Sequence, residues 1–174
     1  MRSQRFLLFR IHRYQDTEAF SELYDVYFER IRRFVYFKLP KDLVDEVTAE
    51  VFLRGWEYAT SSPVENAAAL FYRIARNLIA DHYRKKSIVT TDIDSVEVES
   101  LSDVEHEVEV KMESGHLLTA LRTLKGDYQE VLVMRYLDEM SISEIASAMN
   151  KPSNSVRVLL YRAKRALKES VTHI

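Results

Sequence analysis

The chain has 174 residues and a net charge of −2, from 25 basic and 27 acidic side chains, and it contains three Gly, three Pro and no Cys. The lack of Cys excludes disulfides and thiolate metal sites, the five His lack ligand spacing, and no apolar run is long enough for a signal peptide or a membrane span. A strand-rich fold needs many Gly and Pro residues for its turns, and this chain has few. We therefore predict an all-α cytoplasmic protein without metal or cofactor.

Three amphipathic helices are predicted in an N-terminal domain, residues 1–86. In the first, from Asp16 to Leu39, apolar residues recur at spacings of three and four, and Pro40 ends it. The second covers about residues 42–59, and the third about residues 65–86. These three helices are expected to form one compact domain.

The charges are distributed unevenly along the chain. Residues 1–86 carry 15 basic and 12 acidic side chains, residues 87–113 carry 1 and 9, and residues 114–174 carry 9 and 6. The acidic middle alternates carboxylates with small apolar residues, and its charges repel one another. We predict an acidic linker at 87–113, although the pattern around Val96 and Val98 is also compatible with a short strand.

The C-terminal domain, residues 114–174, is predicted to end in a helix-turn-helix. Four leucines within residues 117–124 and an apolar pattern across 128–137 predict two helices ahead of it. Ser141 and Glu144 have the spacing of a capping box at the start of the next helix. After a turn that suits Asn150, Ser153 can cap the last helix. The spacing matches a helix-turn-helix.

The last helix has an apolar side and a basic side. From Lys151 to Lys168 there are six basic residues and no acidic one, with an aromatic ring among the charges. In a helix-turn-helix, early residues of this helix contact base edges and later cations hold phosphates. We predict DNA binding, although basic residues can also simply solvate a C-terminal helix. The predicted base readers are Asn154, Arg157, Val158 and Tyr161.

Three segments together resemble the extracytoplasmic-function sigma factors of bacterial RNA polymerase, in the sigma-70 family. The segments are DEVTAEVFLRGW at 45–56, LFYRIARNLIADHYRKK at 70–86 and MSISEIASAMNKPSNSVRVLLYRAKRAL at 140–167, in the order and spacing of that family. The resemblance spans about Asp16 to Val171. It implies a transcription initiation factor, not an enzyme, whose partners are the RNA polymerase core, promoter DNA and an anti-sigma factor.

The first of these segments implies a core-binding surface. An outward acidic side of the second helix complements a basic partner, although an ordinary solvated side has the same pattern. By resemblance this side binds the clamp helices of the largest polymerase subunit, and the polymerase flap is a further implied contact. Ala49 stands where the family commonly has Gln. The implied residues are Asp45, Glu46, Ala49, Glu50, Leu53 and Arg54.

The second segment carries cations, two tyrosines and an amide, and such groups suit single-stranded DNA. By resemblance, Asn77 and the loop at 61–66 hold a base flipped from the minus-ten element. Packing within the domain is the alternative role for Tyr72 and Tyr83, and Leu70 replaces a Trp that is frequent in the family. The implied minus-ten residues are Arg73, Arg76, Asn77, Ala80, Asp81, Tyr83 and Arg84.

The third segment implies recognition of duplex DNA at the minus-thirty-five element. Many members of the family have Ser-Arg where this chain has Val158-Leu159, so its element is expected to differ from the commonest one. By resemblance the linker threads through polymerase channels, whereas from its residues it can be a plain tether. The implied minus-thirty-five residues are Ser153, Asn154, Ser155, Arg157, Val158, Tyr161, Arg162 and Arg165.

Two other functions are compatible with the residues alone. In a conventional helix-turn-helix regulator, residues 1–113 would sense a ligand or form a dimer, and the protein would bind its operator without polymerase. In an all-helical adaptor, the basic ends would serve other acidic partners. Neither alternative requires the core polymerase.

Overall fold

The computed structural model describes residues 3–89, 115–124 and 126–172. The chain divides into two compact units, Met1–Glu97 and Val98–Ile174. Every regular element within the described residues is helical, and the predicted all-α fold is confirmed. Most of the predicted linker lies outside the described residues, as does the alternative strand at Val96 and Val98.

The first unit contains four helices within its described residues. They are α1 (Gln4–Tyr14), α2 (Thr17–Tyr36), α3 (Lys41–Ser61) and α4 (Ala67–Val89). Helices α2, α3 and α4 pack against one another, and α1 packs on α2 and α3. The predicted second and third helices are confirmed as α3 and α4, although α4 continues beyond its predicted end at Lys86.

Helix α1 was not predicted, and the reason lies in its sequence. Residues 6–9 read Phe-Leu-Leu-Phe, a continuous apolar run that obscures helical spacing. In the structure both leucines and Ile11 are buried, whereas both phenylalanines are exposed. The prediction of three N-terminal helices was therefore incomplete.

The two ends of α2 have identifiable causes. The Asp16 carboxylate accepts a hydrogen bond from the Ala19 N–H at 3.0 Å, which caps the helix and lowers the pKa of Asp16. The helix ends at Tyr36 rather than at the predicted Leu39, and a short turn leads to Pro40 at the start of α3. Proline disfavours a helical conformation in the residue before it, so α2 has to end ahead of this position.

The core of the first unit is rich in aromatic rings. The ring centres of Phe52 and Phe71 lie 4.8 Å apart, and Phe34 packs edge-on against Tyr72 at 5.2 Å. Gly55 permits the close approach of α3 and α4, because a Cβ at this position would lie 2.5 Å from the Phe71 ring. The side of α3 that packs on α4 is thereby fixed, and so is the opposite side that faces solvent.

The second unit is built around its last helix. Its described helices are α5 (Gly115–Thr123), α6 (Asp127–Leu132), α7 (Ile142–Met149) and α8 (Ser153–Thr172), and a π-helical turn, Val133–Leu137, follows α6. Helix α8 packs on α5, α6 and α7. The helix predicted across 128–137 is thus α-helical only in its first part.

The predicted helix-turn-helix is formed by α7 and α8. The capping box is confirmed: the Ser141 hydroxyl accepts from the Glu144 N–H at 3.2 Å, and the Glu144 carboxylate accepts from the Ser141 N–H at 2.9 Å. Asn150 turns the chain with a left-handed φ of 52°. The prediction that Ser153 caps α8 was wrong, because α8 begins at Ser153 and the carbonyl of Pro152 already accepts a helical hydrogen bond.

Candidate nucleic-acid and protein interfaces

The first candidate surface, the α3 face, is the side of α3 that points away from the core. Val51 and Phe52 are buried on the opposite side. All predicted core-binding residues lie on the α3 face, where Glu50 is half-buried and the others are exposed. The large apolar side chain of the α3 face is Leu53, which is 54% exposed. The α3 face comprises Asp45, Glu46, Ala49, Glu50, Leu53 and Arg54.

Two of the three carboxylates on the α3 face form ion pairs. Asp45 pairs with Arg32 at 2.9 Å, and Glu50 pairs with Arg54 at 2.6 Å. Glu46 is exposed and has no ion-pair partner among the described residues. The face therefore presents one uncompensated negative charge beside an apolar side chain, which is complementary to a basic protein surface.

The second candidate surface, the α4 face, is the exposed side of α4 in the same unit. The Asn77 side chain is exposed and makes no hydrogen bond with the described part of the chain. Arg84 and Asp81 form an ion pair at 3.1 Å, so one of the cations is compensated. An unengaged amide among cations can hydrogen-bond an unpaired base. The α4 face comprises Arg73, Arg76, Asn77, Ala80, Asp81, Tyr83 and Arg84.

The large side chains near the α4 face differ in their accessibility. Tyr72 is fully buried, so the packing alternative applies to it. The Tyr83 ring is half-exposed, but its hydroxyl donates to the carbonyl of Lys38, and burial raises the pKa of Tyr83. Leu70 is buried and cannot stack on DNA in this arrangement. Of the two tyrosine rings, that of Tyr83 is therefore the accessible one.

The loop between α3 and α4 is held at both ends. The Ser61 hydroxyl donates to the carbonyl of Glu57 at 2.7 Å, inside the last turn of α3. The Asn66 side chain accepts from the Ala69 N–H at 2.8 Å at the start of α4. These two loop residues thus stabilise helix ends, and a base would meet the residues between them.

The third candidate surface, the α8 face, is the exposed side of α8. The opposite stripe, which includes Val156 and Leu160, is buried. On the face itself Ser153 is half-buried and the other residues are exposed. The Asn154 side-chain carbonyl accepts from Arg157 Nη1 at 2.9 Å, which fixes the two side chains together. The α8 face comprises Ser153, Asn154, Ser155, Arg157, Val158, Tyr161, Arg162 and Arg165.

A groove of about 370 Å³ opens beside the first half of α8. Val158 and Leu159 line its apolar part, and Lys151 and Arg162 add positive charge. Lys151 is paired with Asp127 at 3.0 Å, whereas Arg162 has no ion-pair partner in the described ranges. A groove with an apolar part and cations can take both a base edge and a phosphate of duplex DNA.

Two surface features were not predicted from the sequence. Tyr136 is exposed, and Lys164 Nζ lies 5.7 Å from the centre of its ring. The outer side of α1 carries arginines and phenylalanines, with no acidic residue from Gln4 to Tyr14. The lack of acidic residues was a sequence signal for the α1 feature. The Tyr136–Lys164 contact joins two distant segments and left no such signal.

No helix in the described ranges is long and apolar enough to cross a lipid bilayer. Within the same ranges, His, Asp and Glu side chains do not gather in groups of three or more that could hold a metal ion. Neither finding concerns residues 90–114, which lie outside those ranges.

Sequence comparisons identify relatives of most of the chain and a family model for its second unit. A family model described as "Sigma-70, region 4" matches residues 115–167. The chain is 32% identical over 160 residues to the ECF RNA polymerase sigma factor BldN of Streptomyces coelicolor, with 87% of this chain and 60% of BldN covered. It is 25% identical over 169 residues to SigW of Bacillus subtilis, with 90% of each chain covered. The chain thus spans less than two thirds of BldN and most of SigW.

Solved structures with a similar fold include two protein complexes. CnrH in complex with the cytosolic domain of CnrY gives a TM-score of 0.68 at 18% identity, covering 98% of this chain and 97% of that one. The sigma factor RpoE in complex with the anti-sigma factor NepR from Bartonella quintana gives 0.69 at 17%, covering 90% and 98%. At these identities the likeness concerns the fold.

Proposed function

We propose that this chain is an extracytoplasmic-function sigma factor of the sigma-70 family and that it acts as a transcription initiation factor. It binds the RNA polymerase core and directs it to promoters with a minus-ten and a minus-thirty-five element. One observation carries the proposal: the exposed basic α8 face follows a capped helix and a left-handed turn, within the residues matched by sigma-70 region 4.

In this proposal the second unit binds duplex DNA at the minus-thirty-five element. Arg157 is bonded to Asn154 but keeps further N–H donors, since a guanidinium has five, and it can therefore also reach a guanine. Val158 offers a base only an apolar contact. The cations farther along α8, such as Arg165, are placed to hold phosphates.

The first unit captures DNA that is melted at the minus-ten element. The unengaged amide of Asn77 and the half-exposed ring of Tyr83 lie among cations on the α4 face. Cations of this kind follow a DNA backbone, while amide and aromatic groups bind an unpaired base. This combination favours single-stranded over duplex DNA as the partner of the α4 face.

The first unit also binds the core polymerase, through the α3 face. The partner is the pair of clamp helices in the largest subunit, with Glu46 as the uncompensated charge and Leu53 as the apolar contact. The flap is a further proposed contact of the core. An anti-sigma factor is a proposed inhibitor, since the similar protein RpoE is solved with one.

The two DNA-binding modules are residues 1–86 and 114–174, and residues 87–113 tether them. Because the tether makes the second binding event intramolecular, neither module needs to bind DNA tightly by itself. Sigma factors are transcription initiation factors, and we propose no catalytic activity and no cofactor for this chain. Its proposed place of action is the cytoplasm, where the polymerase is.

Run-off transcription with purified core polymerase tests the proposed function. Genomic fragments are transcribed with core alone and with core plus this chain. Promoter-specific transcripts that depend on the chain support the proposal. Binding of one operator without core and without any transcript favours a conventional regulator instead. Absence of both activities favours an adaptor, and it overturns the proposal.

A further inference from the structure

The outer side of α1, which none of the proposed roles uses, combines cations with exposed aromatic rings. Phe6 and Phe9 are 50% and 56% exposed, which is unusual for two neighbouring phenylalanines. Helical spacing puts both rings on one side of α1 together with three basic side chains, all exposed. We call this surface the α1 outer face, and it comprises Arg5, Phe6, Phe9, His12 and Arg13.

The α1 outer face is presented by a helix that is firmly attached to the first unit. The opposite side of α1 buries Leu7, Leu8 and Ile11. The Gln4 side-chain amide donates to the Tyr27 hydroxyl at 2.5 Å. Helix α1 is therefore packed on the first unit, and the exposure of the two rings does not result from its detachment.

The charge of the α1 outer face is not compensated within the described part of the chain. There is no acidic residue between Gln4 and Tyr14. Arg10, at the edge of this side, is paired with Asp16. Arg5 and Arg13 have no ion-pair partner among the described residues. The surface thus fits a partner that is negatively charged and also has flat apolar groups.

We infer that the α1 outer face binds single-stranded nucleic acid. Unpaired bases stack on aromatic rings while the phosphates meet neighbouring cations, and this pairing of contacts is common in single-strand binders. Duplex DNA could contact the arginines, but it could not stack on the rings, because its bases are stacked within the double helix. A lipid surface would use the rings, but insertion of Phe9 would carry Arg5 and Arg13 on either side of it toward the acyl chains.

This inference deepens the proposed function and rests on it for the source of the strand, which is DNA melted at the promoter. It adds a contact for that strand on a helix outside the α4 face. The chain would then hold melted DNA at two places in its first unit. Loss of one of these two contacts should weaken binding of the melted strand without affecting binding to the core polymerase.

Affinity for an oligonucleotide tests the inference directly. The probe is a fluorescein-labelled mixed-sequence single strand of about 20 nucleotides, longer than the ~4–16 nucleotides of typical single-strand sites. Anisotropy is measured with the full chain, both alone and assembled on core. Phe9→Ala should weaken binding at least about fivefold, because it removes one base stack. Phe9→Tyr should retain binding, because it keeps the aromatic ring.

Two further variants separate the parts of the surface. Phe9→Leu keeps an apolar side chain but has no ring, and it should lose about as much affinity as Phe9→Ala. The double variant Arg5→Gln and Arg13→Gln should reduce the slope of log affinity against log salt by about 1.4, since each phosphate contact on a single strand contributes about 0.7. The matched control is Val26→Ala, an exposed apolar side chain on α2, which should change neither quantity.

Several outcomes would overturn the inference. It is wrong if Phe9→Ala binds the strand normally, or if Phe9→Leu binds normally where Phe9→Ala does not, since the second result indicates a merely apolar contact. It is also wrong if the variants lose binding to phosphatidylglycerol vesicles and not to DNA. Failure of the proposed function is recognised separately, because wild-type chain then gives no promoter-specific transcript with core whatever the oligonucleotide affinities are.

Discussion

The two units of this protein present charge in different ways. On the α3 face of the first unit, carboxylates are largely matched by arginines, as in the Asp45–Arg32 pair. In the second unit, the stretch from Lys151 to Lys168 has six basic residues and no acidic one. Matched charges leave single side chains to select a partner, whereas an excess of cations attracts any polyanion. In the proposed function, selectivity for the core polymerase and attraction to duplex DNA thus belong to different units.

The largest effect is expected from reversing the charge of the α3 face. Glu46→Lys combined with Glu50→Lys would place positive charge against a basic partner surface, where like charges cost several kcal/mol. We expect co-elution with core polymerase to be lost. Helical content measured by circular dichroism should not change, because neither side chain is buried.

A matched reversal elsewhere on the first unit controls for net charge. Glu18 and Glu29 are exposed on α2 and are not part of the α3 face. Glu18→Lys combined with Glu29→Lys changes the net charge by the same amount as the double variant of the α3 face, and it should leave co-elution with core intact. Normal co-elution of the double variant of the α3 face would show that this face is not the core-binding surface.

A smaller effect is expected at the start of α8. Arg157→Ala should cost about 1–3 kcal/mol of binding to the upstream element if this side chain makes a bidentate contact with a base. Footprinting of the assembled polymerase on templates with single base changes measures it. Arg157→Ala should weaken binding only to templates with the preferred base, whereas Arg165→Ala should weaken binding to all templates alike. Unchanged occupancy with Arg157→Ala would exclude it as a base reader.

The helix-turn-helix could be predicted because its determinants are local in sequence. The capping box needs only Ser141 and Glu144, three residues apart, and the turn needs a residue such as Asn150 that tolerates a left-handed conformation. Helical periodicity likewise predicted the exposed sides of α3 and α8. These features follow from short-range geometry, and one sequence is enough to read them.

The features that were missed depend on long-range contacts. The Asp45–Arg32 pair joins two helices, and periodicity alone does not reveal that it reduces the charge of the α3 face. Tyr72 and Tyr83 lie on the same side of α4 by helical spacing, yet one is buried and the other half-exposed. Helix α1 was missed because its outward phenylalanines look like core residues until the neighbouring helices are in place.

Removal of the Ser141 cap should lower the free energy of unfolding of the second unit and leave that of the first unit unchanged. Ser141→Ala is expected to cost about 1 kcal/mol, the usual value of a lost helix cap. Trp56, the one tryptophan of the sequence, lies in the first unit, so its fluorescence reports urea unfolding there. The unfolding transition measured by circular dichroism should shift to lower urea concentration, while the transition measured by fluorescence should not shift. Ser141→Asp should restore stability, since aspartate also caps helices. A shift of the fluorescence transition would mean that the two units do not unfold independently.

The smallest expected effect is on salt dependence, and it bears directly on the contrast between the units. Arg162 is exposed and has no ion-pair partner among the described residues, so a phosphate contact would be its main contribution. Each phosphate contact on duplex DNA contributes about 0.9 to the slope of log affinity against log salt, and Arg162→Ala should lower the slope by that amount. The preferred base at every position should stay the same. For core binding, the matched charges of the α3 face predict a weaker dependence on salt. If Arg162→Ala changed base preference and left the slope intact, the α8 face would select DNA through single side chains, and the distinction between the two units would fail.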